Sequence, residues 1–531
     1  MDNIFTHVPY KETGYFSKLV TDYISNDPGI KSFYNFSPTA GGLSQAIDER
    51  SKYPVDRKAL VASLTKQYEQ LPKNPKTEAN IQSLLSEKTF TVCTAHQPNL
   101  LTGYLYFVHK ILHAIKLAEE LNALHPDKNF VPVYYMGSED NDLEELGTFK
   151  FRGEKYVWDG GGQTGAVGRM DTAGLKTLLN GLFKSFGPPG ANCDELQGII
   201  TRAYLEHKTV GAATQYLVNE LFGNYGLLVI DPDDAILKAA FIPVMEDELL
   251  HQAANPIITK QIDALGANYK IQAHPREINL FYLADQVRER IVREGDTWIV
   301  LNTDKRFSQA ELLSELKQYP ERFSPNVMLR GLFQETILPN VAFIGGGAEV
   351  AYWLQLNSLF KHYHVFYPVI FLRQSVLWIN EMAAKLRKQA DVSIPAIFMP
   401  EADLERDYMV RHRSTVWQTK DELDAIENVL AALKQKAANV DVTLGPATEA
   451  ALTRMKREVT ELEKKMLRAE KRKLEVEIAR IERVKHILFP SGSLQERVEN
   501  FMEYYLQYGA LFFDTIKDGI KPLTLEFLII E

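Results

Sequence analysis

Two apolar runs, Phe90-Thr91-Val92-Cys93-Thr94 and Phe130-Val131-Pro132-Val133-Tyr134-Tyr135-Met136, flank a stretch of helical periodicity. Neither run alternates polar with apolar residues, so both read as strands buried on two faces. Between them, Leu105, Val108, Ile111, Leu112, Ile115 and Leu117-Ala118 keep the spacing of one helix face over residues 104–124. Strand, helix, strand in so short a span makes a βαβ unit, the seed of a parallel sheet. Further strands are expected at Leu227-Leu228-Val229-Ile230 and at residues 365–372. The core is therefore expected to be a doubly wound α/β sheet.

At 531 residues the chain exceeds a single hydrophobic core. We expect the core to be assembled from residues 1–150, 221–267 and 324–384, with insertions at 151–220 and 268–323. The first insertion is rich in turn residues, including Asp159-Gly160-Gly161-Gly162 and Gly187-Pro188-Pro189-Gly190. Residues 385–488 differ in character. Leu423, Ile426, Leu430 and Leu433 follow an a/d heptad, as do Val459, Leu462, Met466 and Ala469, and Leu474, Ile478 and Ile481 continue after a phase slip. With a reversal at Leu444-Gly445-Pro446, these arms form a long antiparallel α-helical coiled coil. Its basic residues Lys464, Lys465, Arg468 and Lys471 alternate with Glu463, Glu470 and Glu475, which reads as a solvated face. Leu488-Phe489-Pro490 breaks the helix before a C-terminal segment at 489–531.

The net charge of -9 argues against a nucleic-acid binder. Two cysteines, Cys93 and Cys193, are too few for a disulfide scaffold or a cysteine-built zinc site. Met1-Asp2-Asn3-Ile4-Phe5 lacks the features of a secretory leader, and no apolar run reaches the roughly 18 residues a bilayer span needs. A cytoplasmic protein with no membrane partner is expected.

Three polar strings carry the candidate chemistry. Thr94-Ala95-His96-Gln97-Pro98-Asn99-Leu100-Leu101-Thr102-Gly103 lies between a buried strand and a helix, where open α/β sheets place ligands. His96 and Asn99 offer side-chain donors to developing negative charge, and Gln97, Thr102 and Gly103 line the same turn. The competing reading is a turn whose histidine only caps the helix. Gly137-Ser138-Glu139-Asp140-Asn141-Asp142 ends the second strand. Glu139 and Asp140 are the candidate catalytic carboxylates and Asp142 a binding residue, while Glu144 and Glu145 are expected to face solvent. Capping of the next helix is the plainer use of these acids. The third string joins Ser324-Pro325-Asn326 and Arg330 to Ile344-Gly345-Gly346-Gly347-Ala348-Glu349 and Tyr352. Arg330 can clamp a carboxylate, and the glycines can form an anion nest, although no P-loop lysine follows. Asn326, Arg330, Gly346, Gly347, Glu349 and Tyr352 are counted as substrate-binding. No metal site is expected: His109 and His113 share a helix face, but the zincin glutamate is absent.

In order and spacing, these strings resemble the BshC family of bacillithiol biosynthesis from about residue 90 onward. The resemblance rests on His96-Gln97-Pro98, Leu100-Leu101-Thr102-Gly103, Lys110, Glu139-Asp140 with Asp142, Ser324-Pro325-Asn326 with Leu329-Arg330, Leu338-Pro339-Asn340, Gly345-Gly346-Gly347-Ala348-Glu349, Ala351-Tyr352-Trp353 and Leu494-Gln495-Glu496-Arg497. Asn141 stands where the family often has histidine, Asn99 replaces a glycine, and Tyr104 replaces a common proline. The resemblance implies a Rossmann-like doubly wound parallel sheet with two connective-peptide insertions, a projecting coiled coil, and a homodimer formed through that coil.

It also implies a ligase that adds cysteine to glucosaminyl malate, making an amide from an activated cysteine carboxylate. ATP with Mg2+ is the expected source of activation, through an acyl-adenylate, although no Lys-Met-Ser-Lys-Ser-like loop is present. On this reading His96 and Asn99 stabilise phosphate charge, Glu139 or Asp140 holds an amine, and Arg330 or the glycine turn receives the malate carboxylates. Two other readings stay open: a nucleotidyltransferase for another small acceptor, and a catalytically inactive coiled-coil scaffold.

Overall fold

The computed structural model describes residues 4–412 and 419–531. Met1-Asp2-Asn3, part of the N-terminal reading, and residues 413–418 of the expected helical region lie outside the described residues. The chain folds as two compact units, residues 1–378 with 493–530, and residues 379–492 with 531.

The first unit is built on a five-stranded parallel sheet. Its strands are β1 (Thr89–His96), β2 (Asn129–Met136), β3 (Leu228–Ile230), β4 (Asn340–Gly345) and β5 (Val369–Leu372), in the spatial order β5-β4-β1-β2-β3. All four pairings are parallel, with Thr94 beside both Tyr134 and Ile344. Every residue of β2 after Asn129 is buried, so both faces of that strand are covered, as its unbroken apolar run requires. Helix α1 (Tyr106–Leu124) packs on β1 and β2 and ends just before Pro126, which disfavours helical backbone at His125.

One central strand escapes the sequence reading. Asn340–Gly345 is short, starts directly after Pro339 and runs into glycines, so by local pattern it resembles a loop. It becomes a strand because β1 and β5 satisfy its backbone on both edges. The strand expected at 365–372 is shorter, beginning only after Pro368, which has no N–H for a ladder.

The segment after β2 forms a hairpin (Thr148–Phe151 with Glu154–Val157), two short 3-10 turns and the helices Leu175–Lys184, Ala191–Glu206 and Val210–Phe222. Residues 280–325 hold a five-stranded antiparallel sheet. A three-stranded sheet joins both ends of the first unit: Glu526–Ile530 pairs antiparallel with Phe5–Pro9 and parallel with Val376–Trp378.

The second unit contains an antiparallel helical hairpin, Lys420–Val440 and Gly445–Lys473. The contacts Thr419–Glu463, Glu427–Lys456 and Lys434–Glu449 step forward on one arm as they step back on the other. The reversal is the 3-10 turn Val442–Leu444, slightly earlier than expected. Pro446 instead enters the first turn of the second arm, where its missing N–H costs nothing. The phase slip coincides with a helix break at Leu474, after which Glu475–Leu488 continues.

Candidate functional site

In the order β5-β4-β1-β2-β3, the chain winds one way from β1 and the other way from β4. The connections leave a crevice at the carboxyl ends of these two strands, the position at which open α/β sheets bind ligands. A cavity of about 290 Å³ occupies it. His96 and Gln97 enter its wall from the end of β1, Gly137 from the end of β2, and Gly346, Gly347 and Glu349 from the end of β4. Two of the three strings thus meet at one place, and the third reaches it through Gly137.

The loop after β1 is an unusual piece of backbone. Leu101, Thr102 and Gly103 all have positive φ, at 50°, 66° and 67°. The two non-glycine residues are strained there and must be held by their surroundings. The Asn500 Nδ2 group donates to the carbonyls of Leu101 (2.9 Å) and Gly103 (2.6 Å), and the Leu101 N–H donates to the Tyr204 hydroxyl (2.9 Å). A side chain at Gly103 would strike Asn99 at 3.0 Å. Asn99 and Thr102 are buried within this loop, behind the cavity wall, and their side-chain oxygens lack partners among the described residues.

His96 faces the cavity with its ring against Tyr106 and Phe107, and its Nε2 is buried without a partner among the described residues. Burial, with Lys110 and Arg373 nearby, pushes its pKa well below the usual imidazole value. The ring is therefore neutral at physiological pH, with one nitrogen a donor and the other an acceptor.

Cations dominate the remaining wall: Lys110, Arg330, Arg373 and Arg497. Lys110, buried on α1, donates to the Ala95 carbonyl at 3.0 Å and is ion-paired with Glu349. Glu349 also accepts from the Gly346 N–H at 2.8 Å, which ties the glycine turn to α1. Arg330 is carried by helix α2 (Val327–Ile337). Asn326, half-buried, caps that helix by accepting from the Met328 N–H (2.9 Å) and donates to Asn279 (2.9 Å); it does not line the cavity. Arg330 meets Asp140 at 3.5 Å, and Gln97 donates to the same carboxylate oxygen at 3.1 Å. Burial raises the Asp140 pKa, but Arg330, Arg288 and Gln97 outweigh it and hold this acid below the usual carboxylate value. Tyr352 also lines the cavity.

Glu139 is placed differently. It is buried and ion-paired with Lys238, which also lies 3.8 Å from Asp233. Burial raises the Glu139 pKa, with Lys238 opposing. Asp142 caps the short helix Leu143–Leu146 by accepting from the Glu145 N–H at 3.2 Å. Glu145, expected to face only solvent, is exposed but also lines the cavity. His109 and His113 are both buried: His109 bonds Glu496 at 3.1 Å, and His113 accepts from the Gln374 N–H at 2.9 Å. Cys93 is wholly buried in β1. Among the described residues, no group of three or more His, Cys, Asp or Glu is placed to hold a metal ion.

Sequence reasoning singled out neither Lys110, Arg373 nor Arg497 as a site residue. Lys110 sits among apolar residues on a buried helix face, and an unpaired lysine there is costly, which is the signal that marks it. Arg373 and Arg497 lie far apart in sequence, and only the tertiary fold brings them to one wall.

Comparison with known proteins identifies the family of the chain. The family model "Bacillithiol biosynthesis BshC, N-terminal Rossmann-like domain" matches residues 4–374, and "Bacillithiol biosynthesis BshC, C-terminal coiled-coil domain" matches residues 376–531. Curated relatives bear the name "Putative cysteine ligase BshC". The Flavobacterium johnsoniae protein is 39% identical over 527 residues, covering 98% of this chain and 99% of its own. That of Flavobacterium psychrophilum is 38% identical, with 99% of both chains covered, and that of Salinibacter ruber is 29% identical, with 97% and 96% covered. With both domains matched end to end, the chain belongs to the BshC family.

Proposed function

We propose that this cavity joins the carboxyl carbon of cysteine to the amine nitrogen of glucosaminyl malate, forming the amide of bacillithiol. The observation that carries the reading is the wall of four cations, Lys110, Arg330, Arg373 and Arg497, around a small cavity at the sheet's switch point. Malate carries two carboxylates and cysteine one, and charge-assisted hydrogen bonds to arginine suit such groups. Arg330, already shared with Asp140, receives a malyl carboxylate. Asp140, kept ionised by its arginine neighbours, accepts from the substrate ammonium. Neutral His96 takes the proton that the amine sheds on attack, or donates to the carbonyl oxygen as charge develops there.

An unactivated carboxylate is a poor electrophile, and ATP would supply the leaving group. The donor set fits its phosphates: Lys110, Arg373 and Arg497 present cations, and His96 Nε2 is an unsatisfied polar atom on the same wall. Magnesium would then arrive on those phosphates. A thiol product calls for a reducing compartment, and we place the reaction in the cytoplasm.

Mass spectrometry of purified protein with cysteine, glucosaminyl malate, ATP and magnesium tests the reading. Bacillithiol formed only with ATP supports it in full. No amide under any combination sinks it, and transfer of a nucleotidyl group to the sugar would replace it with the nucleotidyltransferase reading.

We also propose that a second copy covers the helical hairpin, because Val429, Leu433 and Leu462 are 60%, 46% and 54% exposed along its arms. Sedimentation of Val429→Ser/Leu433→Ser is expected to give monomer where the wild type gives dimer; a monomeric wild type removes this idea.

A further inference from the structure

The cavity's most deeply set cation is held by a part of the chain distant from the strands. Glu496 lies in the turn following Leu494, wholly buried, and five donors converge on its carboxylate. Arg373 reaches it twice, Nη1 to Oε2 at 2.7 Å and Nη2 to Oε1 at 2.6 Å. The Ser375 hydroxyl (3.1 Å), His109 Nδ1 (3.1 Å) and the Val376 N–H (3.4 Å) complete the set. Both outer nitrogens of Arg373 are thus committed. Its Nε is not: it has no partner among the described residues, and it lies where a Cβ added to Gly346 would stand 3.7 Å away. The guanidinium also sits over the Tyr106 ring, which fixes its plane.

The same turn does more than hold Arg373. Gln495 exchanges two hydrogen bonds with the Trp378 backbone (2.9 and 3.1 Å), Arg497 lines the cavity, and Asn500 clamps the strained loop after β1. An unsatisfied buried N–H carries its full desolvation penalty, and the unpartnered Arg373 Nε belongs to a residue that lines the cavity, where a ligand can satisfy it.

We propose that Glu496 is a positioning residue: it locks Arg373 so that Nε–H faces the cavity beside Gly346 and donates to an anionic group of the substrate, a carboxylate or a phosphate. The proposal rests on the cavity being the substrate site, but its readout does not need turnover. The turn 495–500 then belongs to the working site although it follows the whole coiled coil in sequence.

The test compares full-length wild type, Glu496→Gln, Arg373→Gln and the double variant Arg373→Gln/Glu496→Gln. Thermal melting follows folding, and titration calorimetry with malate and, separately, with inorganic phosphate follows the anion. Each single variant strands one partner and is expected to melt earlier, whereas the double variant regains most of the wild-type melting temperature. Anion affinity should fall about tenfold or more in all three, the scale of one charge-assisted hydrogen bond, and stay low in the double variant. Loss confined to malate assigns Nε–H to a carboxylate, and loss confined to phosphate assigns it to a phosphoryl group. Affinity that returns with stability in the double variant overturns the proposal, because Glu496 would then act through folding only. Wild type binding neither probe overturns it too. Failure of the ligase reading looks different: no amide from wild type, while anion binding still depends on Arg373 and Glu496.

Discussion

At the carboxyl ends of β2 and β3, Glu139, Lys238, Asp233, Arg169 and Asp231 answer one another: Arg169 grips Asp233 with two bonds of 2.6 and 2.7 Å, Lys238 is shared by Glu139 and Asp233, and the Ser138 hydroxyl donates to Asp231 at 2.5 Å. At the ends of β1 and β4, in contrast, His96 Nε2 and Arg373 Nε have no partner among the described residues, and four cations surround open space. Both regions are polar, lie at strand ends and carry shifted acids or bases. The first is closed upon itself and the second is left incomplete. Perturbed titration alone therefore does not separate a structural charge network from a candidate binding site; here the two regions differ in unfilled hydrogen-bonding capacity beside a cavity.

The strongest test of this contrast is Lys238→Met. Removing the central cation leaves Glu139 buried without its ion-pair partner while Arg169 still holds Asp233, and urea unfolding should show a loss of about 3–5 kcal/mol. Adding Glu139→Gln should return more than half of that and leave turnover near wild type; a dead but well-folded double variant would move Glu139 into the chemistry and break the comparison.

His96→Ala comes next. Its kcat is expected to fall about 10²–10³-fold while the melting temperature moves little, because the ring bonds no other side chain through Nε2. Unchanged turnover would count against the cavity itself. For Arg330→Gln we expect a KM for glucosaminyl malate raised about tenfold, with the KM for cysteine nearly unchanged. Equal rises for both substrates would assign Arg330 to general folding of the site.

The smallest effect concerns pH. Burial, then Asp233, raises the Asp231 pKa to about 7. The folded state thus keeps a proton that the unfolded chain releases near pH 4, so this contribution to stability is lost as pH rises towards and through 7. Asp231→Asn should lack that part of the slope when unfolding is compared at pH 5 and pH 8. A slope identical to wild type would mean that Asp231 is ionised throughout.

Much of the fold was legible from local pattern. The apolar runs of β1 and β2 are unbroken because both strand faces are buried, and the spacing of α1 and the heptads of the hairpin are helical periods readable in the chain, although of the heptad leucines Leu430 is buried while Leu433 and Leu462 stand exposed. The candidate site was legible only where it coincided with turn chemistry at a strand end. His96, Gln97, Gly346, Gly347 and Glu349 meet that condition and line the cavity, as does Arg330 from its neighbouring helix. Asn99, Thr102, Asp142 and Asn326 are just as polar but do not line the cavity: the side-chain oxygens of Asn99 and Thr102 are buried in the loop without a partner among the described residues, and Asp142 and Asn326 cap helices.

Residue order alone thus settled the parallel α/β core, the helical hairpin and the polar strand ends, because these follow from periodicity and backbone preference over a few residues. Tertiary structure decided that Asn340–Gly345 is a strand at all, and its place beside β1 creates the crevice. It also decided which cations meet there. Lys110, Arg373 and Arg497 come from three distant stretches, and the turn holding Glu496 arrives only after the coiled coil. No local pattern encodes such a meeting, since the free energy that enforces it comes from burying and pairing charges that touch only once the chain has folded.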